Sequence, residues 1–246
     1  MNARAGVIPL LMWMTGAGAV AAQTSSPDQG WAFYGAVYGW MSSVTGSVAV
    51  GPLNEFPVNE DFSDLAKHID LGFSARFEAH SSTGWALFGD VFYADLGGEG
   101  TSSDSSVTVS VDQKELILEA GAGFEVVSDL EVLGLVRYND LSLTAGIAGN
   151  PPVEGGTKWL DVFGGLRYSP MLGEDWLLVL RAEAGGGGSK FSWFGAASIN
   201  YWFNEGTSAS LGYRILSVDR QEGSGFDQLK WDMTMHGLAL GVLFTF

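Results

Sequence analysis

The chain of 246 residues contains three histidines, and two of them stand near aspartates. Asp70 follows His68 by two residues, and Asp232 precedes His236 by four. Histidine is a usual general base, and a neighbouring carboxylate can orient its ring for that role. If the segments that carry these residues meet in the fold, the four side chains form a candidate hydrolytic group. The same side chains could also bind a metal ion.

The surroundings of these histidines argue against both kinds of site. No recognisable catalytic motif surrounds His68, His80 or His236, and the spacing of the histidines and aspartates follows no known metal-site pattern. We therefore interpret them as polar side chains near strand ends. The sequence predicts neither an enzyme nor a bound cofactor.

Composition excludes further functional classes. The chain carries 12 Lys and Arg against 28 Asp and Glu, a formal charge of −16, which argues against nucleic-acid binding. It contains no cysteine, which excludes disulfides, thiolate metal sites and a lipoprotein anchor. Its 35 glycines and 13% aromatic residues, with only 16% charged residues, are typical of strands that face lipid on one side.

The first 22 residues have the organisation of a secretory signal peptide. Arg4 stands in a short polar start, an apolar run covers residues 7–20, and small residues precede Gln23. The apolar run is interrupted by proline and glycine and is shorter than the roughly 20 residues that span a bilayer as a helix. We predict that residues 1–22 are a cleaved signal peptide and that residues 23–246 form one exported domain. No later segment could span a membrane as a helix, so any membrane insertion must use strands.

The end of the chain alternates between large apolar residues and small or polar ones. Leu238, Leu240, Val242, Phe244 and Phe246 fall on one face of a segment with a period of two, which indicates a strand rather than a helix. Similar alternation recurs along the chain and predicts ten strands. Their predicted ranges are 31–40, 68–80, 85–96, 112–127, 130–143, 158–169, 175–185, 191–203, 207–219 and 229–246.

The predicted connections alternate in length. The first, third, fifth and ninth are long polar loops, and the second, fourth, sixth and eighth are short turns. The seventh, at residues 186–190, is short and glycine-rich. Long loops at one end and short turns at the other are typical of a barrel in a membrane. We predict an all-β fold, a closed antiparallel transmembrane β-barrel of ten strands, with eight or twelve strands as alternatives.

Charged residues inside the predicted strands fall mainly opposite the apolar face. An Arg or Lys on the lipid face at mid-membrane costs roughly 2–4 kcal/mol, so the charged face should line the lumen. If Glu125 faces Glu131 across the following turn, the same register places Glu119 opposite Arg137, and a shift of two residues would break that pair. The predicted lumen charge network consists of Arg76, Asp90, Glu119, Arg137, Asp161, Arg167, Arg181, Glu183 and Arg214.

Seven of the nine tryptophans stand near predicted strand ends. At a membrane interface, tryptophan keeps an apolar ring in lipid and a polar tip in water. The bias toward strand ends favours an interface belt over ordinary core tryptophans. The predicted interface aromatics are Trp31, Trp40, Trp85, Trp159, Trp176, Trp193 and Trp231.

Several stretches resemble a group of uncharacterised proteobacterial outer-membrane β-barrel proteins, in broad terms the OmpA-like transmembrane barrels. The resemblance lies in residues 62–96, in DVFGGLRY at residues 161–168, in LGYRIL at residues 211–216 and in residues 232–246. The related final strand often has proline where this chain has Leu238. The resemblance implies a location in the outer membrane of a Gram-negative bacterium and the barrel fold. It carries over no catalytic residues.

The predicted role is a structural or passive one in the cell envelope, for a monomer surrounded by outer-membrane lipid and lipopolysaccharide. Phe244 and Phe246 would form the signal read by the barrel-assembly machinery. The alternatives are a narrow channel or small-ligand-binding barrel, and a hydrolase of lipid or peptide at the barrel rim. Acidic residues in predicted loops could bind divalent cations, or lipopolysaccharide through cation bridges, although solvated loop charges are the commoner case. These are Glu60, Asp61, Asp64 and Asp104.

Overall fold

The computed structural model describes residues 30–50, 56–66, 69–101, 108–147, 153–223 and 228–246. The predicted signal peptide, His68 and Asp104 lie outside these ranges. Strands make up nearly all of the described part of the chain. They are β1 (Trp31–Val50), β2 (Phe56–Glu60), β3 (Ile69–Ser81), β4 (Trp85–Thr101), β5 (Thr108–Val127), β6 (Leu130–Ile147), β7 (Val153–Tyr168), β8 (Trp176–Gly187), β9 (Phe191–Asn204), β10 (Thr207–Glu222) and β11 (Leu229–Thr245).

Ten of these strands close into one antiparallel barrel, which confirms the predicted fold. From β3 onward each strand pairs with the next one in the chain, and β11 returns to pair with β1. The closing ladder runs from Tyr34↔Thr245 to Val50↔Leu229. Pairing the first strand with the last satisfies the backbone polar groups that would otherwise form two free sheet edges.

The additional strand, β2, is short and pairs with β1 alone, from Val44↔Glu60 to Val48↔Phe56. It is followed by the one-turn helix α1 (Phe62–Leu65), where the backbone N–H of Phe62 donates to Ser43 Oγ at 3.0 Å. Among the described residues, no helix combines the length and the apolar character needed to cross a membrane.

The strands extend further at the long-loop end than the sequence predicted. β1 continues past Trp40 to Val50, and β4 and β5 remain paired from Gly97↔Asp112 to Thr101↔Thr108. The residues of these extensions are rich in Ser, Gly and Thr, and their composition led to a loop prediction that is wrong. Ladder hydrogen bonds come from the backbone, so a strand continues wherever an ordered neighbour continues beside it.

The outward face of the barrel is a band of exposed apolar side chains. Phe73 in β3, Val162 in β7 and Leu240 in β11 are each at least half exposed. Soluble monomers rarely expose contiguous apolar patches larger than a few hundred Å². A band of this kind is what a barrel presents to hydrocarbon.

The closed ladder predicts resistance to mild denaturation. The β1–β11 pairing must break before the sheet can open, so the detergent-solubilised protein should stay compact in cold sodium dodecyl sulfate. We expect it to run faster on a gel before boiling than after boiling. Equal mobility of the boiled and unboiled samples would contradict closure.

Candidate functional site

Four charged side chains meet at the centre of the lumen. Arg137 Nη2 donates to Glu119 Oε2 at 2.8 Å and to Glu183 Oε2 at 3.1 Å, and Arg181 contacts the same two carboxylates. The β5–β6 register sets Glu119 directly opposite Arg137. All four side chains are almost completely buried. Each guanidinium therefore neutralises two carboxylates in a place where an unpaired charge would be costly.

A second charged group lies nearer the short turns. Arg76 Nε donates to Glu78 Oε1 at 2.5 Å, and Arg167 Nη1 donates to Glu78 Oε2 at 2.7 Å. Arg167 Nε also donates to Glu131 Oε2 at 2.6 Å, and a ring nitrogen of His80 lies 2.7 Å from Glu78 Oε2. Glu78, Glu131 and His80 were not part of the predicted network. The sequence did indicate that Glu78 and His80 face the lumen, because they lie on the same face of the strand as Arg76.

Arg214 differs from the other lumen arginines. It forms no salt bridge with a described residue, and its buried Nε has no hydrogen-bond partner. Its guanidinium carbon lies 4.8 Å from the ring centroid of Tyr38, 5.0 Å from that of Trp40 and 5.2 Å from that of Phe194. Rings at such distances attract a cation through their faces. The rings themselves provide no acceptor, but the Tyr38 hydroxyl interacts with the guanidinium.

Asp90 links Arg214's surroundings to the charged groups. Its Oδ1 accepts a hydrogen bond of 2.6 Å from the Tyr38 hydroxyl, and its Oδ2 lies 3.4 Å from Arg76 Nη1. Tyr38 is thus held by Asp90 at its hydroxyl while Arg214 lies over its ring. These contacts fix the Tyr38 side chain inside the lumen.

Asp161 organises the short β8–β9 hairpin instead of pairing with an arginine. Its carboxylate accepts hydrogen bonds from Trp159 Nε1 at 3.0 Å and from the backbone N–H of Ser189 at 2.7 Å. Arg220, which the sequence did not single out, completes this region by donating to the Gly188 carbonyl at 2.6 Å and to Thr157 Oγ1 at 2.9 Å. The β8–β9 hairpin is too short to reach the rim. The side chains of β7 and β10 therefore close the barrel wall on the long-loop side of this hairpin.

The half of the lumen nearest the short turns holds a cavity of about 630 Å³. It extends from Asp129 and Ser169 at the turns to Phe194 and Arg214 deep in the barrel. The volume falls within the range of small-molecule pockets. Charged groups that contain Arg76 and Arg167 line one wall. Small and apolar side chains of β8–β11 line the other, including Leu177, Val179, Ala196, Ala239 and Leu243.

The half of the lumen nearest the long loops is filled by buried apolar side chains. Trp231 and Met235 pack against this cluster from β11. Packed side chains at this level leave no room for a wide aqueous path. The buried members are Trp40, Ile117, Leu141, Trp159, Phe194, Leu216 and Val218.

The predicted interface role is therefore wrong for Trp40, Trp159 and Trp231. Trp40 and Trp159 are buried in the inner cluster, and Trp231 packs against it. Their proximity to predicted strand ends was misleading, because the parity of a residue along its strand decides which face it occupies. The strands also continue beyond Trp40, so this residue does not lie at a strand end.

The other four tryptophans face outward. Trp31, Trp85 and Trp176 begin β1, β4 and β8 at the short-turn end, and all three are exposed. Trp193 is exposed near the opposite end of β9. These positions match those of aromatic rings that mark the two edges of an apolar band.

The weak catalytic candidates do not form a site in the described part of the chain. His236 lies on the outward face, and its Nδ1 is 2.8 Å from the hydroxyl of Tyr213 rather than near a carboxylate. Asp232 is exposed on the same strand, four residues away, which corresponds to roughly 13 Å along β11. The backbone of Asp70 belongs to β3. Among the described residues, no group of three or more His, Asp or Glu side chains is arranged to hold a metal ion.

The acidic residues proposed for loops lie around β2 and α1. Glu60 ends β2, Asp61 precedes α1, and Asp64 lies within the helix; all three are exposed. At the other end of the chain, Phe244 and Phe246 are also exposed, and the backbone N–H of Phe246 donates to the Phe33 carbonyl at 3.0 Å. The last residue is thus tied to the first strand.

No family model and no curated protein sequence matches the chain. Solved structures with a similar fold include the outer-membrane protease OmpT from Escherichia coli, at 10% identity and a TM-score of 0.53, covering 92% of this chain and 100% of that one. The translocator domain of the autotransporter NalP from Neisseria meningitidis is 16% identical with a TM-score of 0.51, covering 91% of this chain and 90% of that one. The attachment invasion locus protein Ail of Yersinia pestis, solved in complex with a heparin analogue, is 14% identical with a TM-score of 0.45, covering 88% of this chain and 99% of that one.

At these identities the first two structures show a shared fold and nothing more. The chain has the closed antiparallel architecture of outer-membrane β-barrels, with ten strands in the barrel wall. The narrower OmpA-like resemblance finds no support in a family match. Function must therefore be argued from the lumen and the outer surface.

Proposed function

We propose that the chain is an integral protein of the Gram-negative outer membrane with a structural, non-conducting role in the cell envelope. The observation that carries this proposal is the filling of the lumen. Charged side chains neutralise one another across the middle of the barrel, and apolar side chains fill the half nearest the long loops. Such an interior stabilises the barrel wall and does not provide a path for solute.

The outer surface supports the membrane location. Exposed apolar side chains surround the barrel, and outward tryptophans stand toward both ends. The resemblance of residues 62–96 and 232–246 to OmpA-like barrels points to the same membrane. Residues 1–22 would direct export as a cleaved signal peptide, and Phe244 and Phe246 would be recognised by the assembly machinery. In this proposal the barrel is a monomer whose partners are lipid and lipopolysaccharide.

The proposal includes the absence of enzymatic activity. OmpT, which shares the fold, is a protease. In the described part of this chain, four glutamates of the lumen pair with arginines, and His236 contacts a tyrosine on the outer face. These glutamates are Glu78, Glu119, Glu131 and Glu183. A hydrolase at the rim would need a free general base beside a substrate site.

A conductance measurement tests the non-conducting role. The purified protein should give no resolved current steps in a planar bilayer under conditions in which a general porin conducts. The physical reason is the apolar cluster around Trp159 and Leu216, which excludes hydrated ions from the half nearest the long loops. Steady, reproducible current steps would contradict the proposal and favour a narrow channel.

A further inference from the structure

The barrel wall contains a gap between β1 and β3. The β1–β3 ladder runs from Trp31↔Ser81 only to Val37↔Ala75, although both strands continue beyond that point. β1 next acquires a partner on this side at Val44, where β2 begins to pair with it. In the described part of the chain, residues 38–43 of β1 and 69–74 of β3 therefore have no ladder partner across this gap. We call these two edges the seam.

The seam lies at the level of the apolar band. Tyr38 is seven residues from Trp31, or roughly 18 Å along the barrel axis for a tilted strand, and the band of such barrels is about 25 Å tall. Phe73 and Leu240, both about half exposed, border the seam on the outside. Lipid chains therefore reach it directly.

A shallow cleft of about 400 Å³ lies along the seam on the barrel wall. Its lining includes outward residues such as Phe73 and inward residues such as Ser74 and Tyr38. Tyr38, Leu240 and Gly241 line both this cleft and the 630 Å³ cavity of the lumen. The cleft and the cavity thus adjoin the same part of the wall, around Tyr38.

Arg214 lies beside this part of the wall. Its guanidinium is 4.8 Å from the Tyr38 ring, and it lines the cavity without a carboxylate partner in the described chain. Trp40, whose ring is 5.0 Å from Arg214, has a buried Nε1–H that also has no acceptor. Of the two side chains only Arg214 lines the cavity, and a cavity-lining guanidinium without an ion-pair partner among the described residues favours a ligand that brings anionic oxygens.

We propose that the seam and the adjoining cavity bind a single-chain amphiphile with an anionic head group, taken up sideways from the bilayer. The head pairs with Arg214 in the cavity, and the chain lies in the cleft between β1 and β3. The unpaired backbone groups of the seam give the head a polar path through the wall, since such groups need hydrogen-bond partners at membrane depth. This inference goes beyond the structural role and does not depend on it.

The first experiment compares ligands on the unaltered protein. The barrel is reconstituted in zwitterionic vesicles, and binding is followed by tryptophan fluorescence with laurate, monododecyl phosphate and dodecanol as probes. We expect laurate, monododecyl phosphate or both to bind at least about tenfold more tightly than dodecanol, which has the same chain and no charge. The stronger of the two anions identifies the head group. Equal binding of all three would overturn the proposal.

The second experiment uses substitutions. Arg214→Met should weaken binding of the anion at least about tenfold, whereas Arg220→Met, at the rim and outside the cavity, should leave binding unchanged. A Cβ at Gly39 would meet no atom within 4 Å, and Gly39 lines the cleft, so Gly39→Trp should obstruct the seam. Gly134→Trp, equally unobstructed but on β6, is its matched control.

Gly39→Trp should weaken binding several-fold, and Gly134→Trp should not. The gel shift on boiling verifies that each variant is folded. If Arg214→Met does not fold, the comparison of ligands and the Gly39 pair still decide the question. Undiminished binding in folded Arg214→Met, or equal effects of the two tryptophan substitutions, would overturn the assigned site. The binding results do not alter the expected conductance. Failure of the ligand-binding proposal can therefore be distinguished from failure of the non-conducting role.

Discussion

Arg137→Met should lower the free energy of unfolding by about 3–5 kcal/mol, the cost of breaking a buried ion pair by removing one partner. The Arg137 side chain is 3% exposed and donates to both Glu119 and Glu183. Its guanidinium also lies 4.2 Å from the ring centroid of Phe163. Methionine fills much of the same volume but leaves an excess negative charge in the centre of the barrel. Urea unfolding in lipid vesicles measures the loss.

Two further variants separate charge imbalance from lost packing. Lys158→Met removes a cation that lies 3.0 Å from Asp140 but is 67% exposed, and it should leave stability unchanged because water screens the pair. Arg137→Met combined with Glu119→Met restores the charge balance and should recover most of the loss. A double variant that is less stable than the single one would show that packing, rather than charge, dominates at this position.

The barrel was predictable because its two faces meet different solvents. Alternation in β11, and in β3 around Phe73 and Phe77, predicted one apolar face. The alternation of long and short connections predicted that successive connections lie at opposite ends of the barrel. The turn at Asp129, where the structure has a positive φ of 65°, ended β5 where the alternation predicted. The long-loop ends of β1, β4 and β5 lie beyond the predicted strands, because their small polar residues carry no alternation and their order comes from pairing with a neighbour. These ends are residues 41–50, 97–101 and 108–111.

The content of the lumen was predictable, but most of its geometry was not. Parity alone placed Arg137, Arg181 and Glu183 on the charged face. The hairpin register correctly placed Glu119 opposite Arg137. It could not show that Arg181 also meets Glu119, because β5 and β8 approach one another only across the closed lumen. For the same reason the isolation of Arg214 among aromatic rings had no signature in the sequence. The seam between β1 and β3 had none either, because it arises where β2 rather than β3 continues the pairing.

The ion pairs of the lumen are distributed unevenly around the barrel. The charged groups around Glu119 and Glu78 connect β3, β5, β6, β7 and β8 across the interior. No ion pair in the described chain crosses from this group to β9, β10 or β11, where the cavity wall is small and apolar. The seam therefore has the ion-paired strand β3 on one side and β1, whose Tyr38 lies beside Arg214, on the other.

Val162→Arg should lower the free energy of unfolding by about 2–4 kcal/mol if the outward face of the barrel contacts hydrocarbon. Val162 is 59% exposed, and it stands six residues from Tyr168 at the end of β7, which places it near the middle of the apolar band. In water an exposed valine can become arginine at little cost, because surface substitutions of this kind seldom alter stability. The substitution therefore distinguishes a membrane barrel from a soluble one.

Val127→Arg is the matched control, since Val127 is 61% exposed but lies at the turn after β5, where the side chain can reach the interface. The cost of a lipid-facing arginine falls to about 0–1 kcal/mol near the interface, so only the central substitution should matter. The difference between the two variants measures the depth of Val162 independently of the introduced charge. Equal and small effects at both positions, in urea unfolding from lipid vesicles, would place the apolar band outside hydrocarbon and remove the basis for a transmembrane location.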